Sequence, residues 1–306
     1  MEASMCIWRV VCAVAPSEEA RMLAKRLLRL WDGKCAAVGS SQDLAAQMRA
    51  ELMGGGTPMA GIDAVFVVGG DGFLLESYHA WDAAAVRPLF VGWNAGRVGF
   101  LMNDAPATDD AFLAQLAALR SGAYETEFAY PVCAEIECQG KKHVVSAFNE
   151  ITVRACGRQA ARLHRWIDGV DFGEFGGGGF IVATPQGSTA YAVDAGGPAV
   201  DLAVPSLILV PLTTHRALTF AQLHNALVLS PRTQIDMEVL EREKRPVSVV
   251  TETQEIVGVE RVTITSAFRY GQDGAVQLGY VRPAIGRRFP ARIANTFLGL
   301  GNKRGL

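Results

Sequence analysis

The feature that most constrains this chain is an apolar run of strand length that empties directly into a glycine turn. Residues 64–68, Ala-Val-Phe-Val-Val, lead into Gly69-Gly70-Asp71-Gly72. A continuous apolar run of that length reads as a strand covered on both faces, as in a parallel sheet with helices on either side. Residues 89–92 are a second such strand, followed by Asn94-Ala95-Gly96-Arg97-Val98-Gly99-Phe100-Leu101. A third run, residues 181–183, ends in Thr184-Pro185-Gln186-Gly187-Ser188-Thr189-Ala190-Tyr191.

The segments around these turns divide the chain in two. Residues 7–15 read as a strand and 17–31 as a helix, with Ser17 as N-cap and Glu18-Glu19 in its first turn. Helices are expected over 41–53, 74–81 and 107–121, the last capped by Thr108. Strands alternating with helices argue for an open α/β sheet. Beyond Tyr124 the periodicity becomes strand-like, with short runs at 132–138, 143–148, 151–154, 162–167, 207–210, 226–229, 235–240, 247–251 and 261–266. Turns are expected at 140–142 and at Asp168-Gly169, a strong hairpin signal between extended residues. This half reads as an antiparallel β domain. The segment from Pro290 reads as a helix returning to the first domain. The expected division is 1–123 with 285–306, and 124–284.

Composition narrows the class. Half of the 306 residues are hydrophobic, and the net charge of −2 gives no broad pull toward nucleic acid or an anionic membrane. The six cysteines include no Cys-x-x-Cys pair, and no histidines stand near them at zinc spacing, so no metal ligands are expected among them. The apolar stretch 5–15 is interrupted by Arg9 and lacks a basic leader, which favours a strand over a signal peptide. The run 199–212 is broken by Asp201, Pro205 and Pro211 and is too short to span a bilayer. A soluble, cytoplasmic protein is the expectation.

Glycines at the carboxyl end of a parallel strand let a ligand approach the backbone, and the following helix start offers free N–H donors to phosphate. Asp71 is then placed to accept a proton or to meet a metal-bound phosphate; its alternative reading is an ordinary helix-capping acid in a tight turn. Arg97 suits phosphate or a solvated loop. Asn149-Glu150 suits a ribose or adenine edge, or an exposed polar pair. The hydroxyls and amides of 184–189 suit a sugar or phosphate, and Tyr191 can stack on a base. No Walker loop, no Rossmann glycine fingerprint and no nucleophile elbow occurs. Together the turns point to phosphoryl transfer on a nucleotide.

In this order, Gly-Gly-Asp-Gly, Asn-x-Gly-x-x-Gly-Phe-Leu, Asn-Glu, Thr-Pro-x-Gly-Ser-Thr-Ala-Tyr and the Gly-Gly-Pro at 196–198 resemble the NAD kinase family. The match runs from about residue 65 to about residue 265, and Lys244-Arg245-Pro246-Val247-Ser248 resembles bacterial members. Gly-Gly-Asp-Gly alone is shared with phosphofructokinases and lipid kinases; the Thr-Pro-x-Gly-Ser-Thr-Ala-Tyr segment is far more specific.

The resemblance implies a Rossmann-like N-terminal domain, an antiparallel β-rich C-terminal domain and NAD held between them. It implies ATP as phosphoryl donor, NAD as acceptor, a divalent metal such as magnesium, and a homodimer or homotetramer. Carried over by position, Asp71 accepts the proton and Gly72 belongs to the nucleotide loop. Asn149 and Glu150 hold NAD; Thr189, Ala190 and Tyr191 line adenine and ribose; Asp194 and Gln254 make further contacts. Two positions depart from the family. Gly178 stands where an Asp is usual, and Glu252 stands where the usual acid is one methylene shorter. A non-catalytic dinucleotide-binding regulator and a lipid kinase are the alternative readings, separated by NADP formation and by the acceptor used.

Overall fold

The computed structural model describes residues 9–40, 43, 62–82, 88–96, 99–214, 225–269, 276–281 and 289–297. The chain divides into two units, Met1–Glu127 with Val276–Leu306, and Phe128–Ala275. The expected ends at 123/124 and 284/285 lie four and nine residues away, and the second shift moves residues 276–281 into the first unit. The difference arises because strands on both sides of the second unit are built into the first sheet.

In the first unit, β1 (Arg9–Val14), β2 (Lys34–Gly39), β3 (Ala64–Gly69), β4 (Leu89–Asn94), β5 (Asn103–Asp104) and β6 (Tyr124–Ala129) join a late strand, β18 (Val276–Val281). Their order is β2-β1-β3-β4-β18-β6, with β5 beside β4. β1, β3, β4 and β18 run parallel. All six residues of β3 are buried, as the unbroken apolar run requires. Helix Glu18–Leu30 begins where expected, with Ser17 Oγ accepting from Ala20 N at 3.1 Å, and it buries Ala20, Ala24 and Leu27 on one stripe. Helix Asp109–Arg120 is capped by Thr108 in the same way and buries Phe112, Leu116 and Leu119. Phe66, Trp93 and Phe112 form an edge-to-face and tilted aromatic stack at the centre of this core.

Two elements differ from expectation. Helix Asp71–Asp82 starts three residues earlier than the apolar spacing indicates, so Asp71 lies in its first turn. β2 has no strand-like signature, because Lys-Cys-Ala-Ala-Val-Gly carries a single β-branched residue; its pairing with β1 makes it a strand. The helix expected over 41–53 lies outside the described residues except for Asp43.

The second unit is an antiparallel sheet. Its path is β16 (Glu255–Val257), β15 (Val247–Val250), β9 (Glu150–Ala155), β11 (Val170–Ala183), β10 (Ala161–Ile167), β14 (Ile235–Val239), β17 (Val259–Ser266), β7 (Val132–Cys138) and β8 (Lys141–Ala147). β12 (Leu207–Thr214) pairs with β11, and β13 (Leu227–Leu229) with β12. The Asp168-Gly169 turn closes the β10–β11 hairpin, with both residues at positive φ (50° and 77°) and Ile167 opposite Val170. The β7–β8 turn is Gln139-Gly140, and Lys141 and Lys142 lie within β8 rather than in the turn. Alternating inward residues such as Val132, Ala134, Ile136, Leu163, Met237, Val262 and Ile264 make one core. No helix among the described residues is long and apolar enough to cross a membrane.

Candidate functional site

The Gly-Gly-Asp-Gly turn leaves the carboxyl end of β3. Gly69 pairs with Asn94 at the end of β4, and Ala95 N donates to Gly69 O at 2.8 Å. Both glycine turns of the first unit therefore leave the carboxyl end of the same parallel sheet, where open α/β sheets bind ligands. A Cβ on Gly70 or Gly72 would meet nothing within 4 Å, so these glycines border open space. Gly69 differs, since a Cβ there would lie 2.9 Å from the Phe73 ring and 3.0 Å from the Ala15 methyl.

Asp71 accepts hydrogen bonds from Phe100 N at 2.5 Å and Leu101 N at 3.1 Å, one on each carboxylate oxygen. Within its own helix, Phe73 N and Leu74 N donate to Gly70 O at 3.0 and 3.1 Å and close the first turn. The carboxylate is thus held by amides about thirty residues further along the chain. Gly99 makes this approach possible, because a Cβ there would sit 3.2 Å from Asp71 Oδ1 and 3.1 Å from Asn94 Nδ2. Asn94 Oδ1 accepts from Gly96 N at 2.9 Å. Arg97 lies outside the described residues.

In the second unit, β9 and β11 pair Glu150 with Ala183, so Asn149-Glu150 lies beside the Thr-Pro-x-Gly-Ser-Thr bend. Thr184 fastens the two. Its N–H donates to Asn149 O at 2.8 Å, its hydroxyl donates to Phe148 O at 2.8 Å, and the hydroxyl accepts from Gly187 N at 3.1 Å. Gly187 is obligatory, because a Cβ there would fall 2.1 Å from Asn149 O. Ser188 is fully buried; its hydroxyl donates to Pro185 O at 2.7 Å and accepts from Val200 N at 2.9 Å, so it shapes the bend.

Glu150 is mostly buried, and its Oε2 has no hydrogen-bond partner among the described residues. Burial, with the charge of Glu252 adding to it, pushes its carboxyl up to about 7. Glu252 itself accepts from Asn149 N at 2.5 Å. The longer acid therefore still reaches the Asn-Glu pair, in a role that the sequence alone did not reveal.

The remaining expected residues spread along this surface. Thr189 ends the single turn Gly187–Thr189, Ala190 is half-buried, Tyr191 is 48% exposed, and Asp194 is exposed at the end of the short helix Tyr191–Asp194. Gln254 is exposed in the β15–β16 turn, where its backbone exchanges hydrogen bonds with Thr251. Gly178 lies in a crowded stretch of β11; a Cβ there would meet Leu212 O and Thr213 Oγ1 at 3.1 Å each. No group of three or more His, Cys, Asp or Glu side chains gathers among the described residues.

Comparison with known proteins adds the family. The model of the ATP-NAD kinase C-terminal domain matches residues 134–266, inside the second unit. An NAD kinase of Rhizorhabdus wittichii is 32% identical over 228 residues, covering 74% of this chain and 83% of that protein. The chain belongs to the NAD kinase family. An NAD kinase of Xanthomonas campestris pv. campestris (strain 8004) is 34% identical over 235 residues, with coverage of 76% and 87%. The fold is shared with a solved NAD kinase from Archaeoglobus fulgidus in complex with ATP (TM-score 0.64, 24% identity, 94% of this chain and 97% of that one). It is shared also with yeast NADH kinase complexed with NADH (TM-score 0.70, 16% identity, 97% and 89%). Two features of this site have no local sequence pattern: the Phe100–Leu101 amides on Asp71, and Glu252 on Asn149. Gly99 was the available signal for the first; nothing in the spacing marks the second.

Proposed function

We propose that this protein transfers the γ-phosphoryl group of ATP to the 2′-hydroxyl of the adenosine ribose of NAD, giving NADP and ADP. The observation that carries the residue assignment is the Asp71 carboxylate, held by two backbone amides in a turn bordered by open space at Gly70 and Gly72. In the reaction the ribose O–H bond breaks and its proton passes to Asp71. The oxygen forms the new bond to phosphorus, and the bond from the γ-phosphorus to the bridging oxygen breaks, leaving ADP.

Magnitudes decide the timing of the proton. Between a free aspartate and a hydroxyl of water-like acidity, complete prior deprotonation costs roughly 16 kcal/mol. Asp71 therefore orients the hydroxyl and takes the proton as the bond to phosphorus forms. Positioning and electrostatic stabilisation supply most of the acceleration. A divalent cation, magnesium by resemblance, would travel on the phosphates and offset their charge.

On the acceptor side, Asn149, Glu150, Thr189, Ala190 and Tyr191 would hold NAD, with Asp194 and Gln254 making further contacts and Gly72 in the nucleotide loop. The buried, unpartnered Oε2 of Glu150 supports this, since a buried polar atom left open is a place for a ligand group. A cytoplasmic homo-oligomer is part of the same reading. The test is NADP formation from NAD, ATP and magnesium by the wild type and Asp71→Asn. Turnover falls by about 100-fold or more in the variant while its circular dichroism is unchanged. Near-normal turnover in a folded Asp71→Asn variant removes Asp71 from the proton transfer.

A further inference from the structure

The segment that supplies both hydrogen bonds to Asp71 is itself held by the C-terminal part of the chain. Phe100 and Leu101 donate to the carboxylate. Next to them Met102 is fully buried, with its sulfur in the space that Gly92 leaves open; a Cβ on Gly92 would lie 2.2 Å from that sulfur. Asn103 is 2% exposed and donates from its side-chain amide to Gly92 O at 2.8 Å and to Gly279 O at 3.1 Å. Gly279 belongs to β18, far along the chain from β4, yet the two strands are neighbours. At the other end of the segment, the Phe100 ring lies 6.1 Å, centroid to centroid, from the ring of Phe297 in helix Phe289–Phe297.

Residues 100–103 are thus gripped at one end by a strand and at the other by a helix, both contributed by 276–297. Neither contact touches Asp71. What they set is the place of the two amides that orient its carboxylate. Misplacing a reacting group by about 1 Å costs up to about 100-fold in rate, so a small shift of this segment registers in turnover before it registers in folding.

We infer that the C-terminal strand and helix position the Asp71 carboxylate through residues 100–103, with Asn103 and Phe297 as the positioning residues. The inference deepens the proposed role of Asp71 and rests on it. Phe297 is 46% exposed, so its removal leaves the core of the first unit intact.

The experiment uses the full chain and compares Phe297→Ala, Phe297→Tyr, Asn103→Ala and a core control, Leu116→Val, in steady-state NADP formation with thermal unfolding in parallel. Phe297→Ala lowers kcat by about 3- to 10-fold, the range expected for one aromatic contact. KM for NAD and for ATP stays within about twofold. Phe297→Tyr keeps the ring and restores kcat, and Asn103→Ala lowers kcat at least as far as Phe297→Ala. Leu116→Val lowers the unfolding temperature without lowering kcat. Unchanged kcat in both positioning variants, a loss confined to KM, or an equal kcat loss in Leu116→Val overturns the inference. Its failure is separate from that of the Asp71 assignment, which falls only if Asp71→Asn keeps its turnover.

Discussion

Glu150 shows how one burial decision tunes a side chain. Its carboxyl is pushed up to about 7 from an ordinary 4.5, first by burial and then by the charge of Glu252. Between those two values the native protein keeps the proton while the unfolded chain releases it. Folding is therefore unpenalised below about pH 4.5 and loses stability as pH rises toward 7, by on the order of 3 kcal/mol at 1.36 kcal/mol per unit. Glu150→Gln abolishes that slope. Glu252→Gln, which keeps an acceptor for Asn149 N, only lessens it, because burial is the larger cause. Unfolding temperatures of the three proteins between pH 4.5 and 8 provide the check; parallel curves for wild type and Glu150→Gln would contradict the account.

The strand-to-bend junction after β11 depends on one hydroxyl. Thr184 Oγ1 donates to Phe148 O and accepts from Gly187 N, so it joins the Asn-Glu end of β9 to the bend that follows β11. Valine has the same shape and neither capability. Thr184→Val leaves the buried Gly187 N–H without its acceptor and costs about 1–3 kcal/mol in denaturant unfolding. Because Gly187 rests against Asn149, the loosened bend also raises KM for NAD more than it lowers kcat. A variant with wild-type stability and KM would show that the hydroxyl is not what holds the junction.

Each unit has its own buried core among the described residues. Phe112 is fully buried against Trp93 in the first, with the Arg26 guanidinium 5.3 Å from its ring centre. Val132, Leu163, Met237 and Ile264 belong to the second. Phe112→Ala costs about 3–5 kcal/mol through the cavity it leaves. Amide exchange then quickens through β1, β3 and β4 well before β10, β14 and β17. Equal acceleration in both sheets would mean that the two cores unfold as one.

Much of this was legible residue by residue. The buried parallel strands, the capped helices at Ser17 and Thr108, the Asp168-Gly169 hairpin and the family itself followed from local patterns, because apolar periodicity, caps and turn residues act within a few positions of where they stand. Asp71 could be singled out in the same way. What local pattern could not supply was what Asp71 and Asn149 lean on. The amides that fix the first lie about thirty residues downstream, and the acid that reaches the second lies about a hundred downstream. β2 became a strand only by pairing with β1, and β18, which follows the second unit in the chain, pairs with β4 in the first sheet. Contacts at such separation leave no periodic trace in the chain, since they arise only when folding brings distant backbone into register.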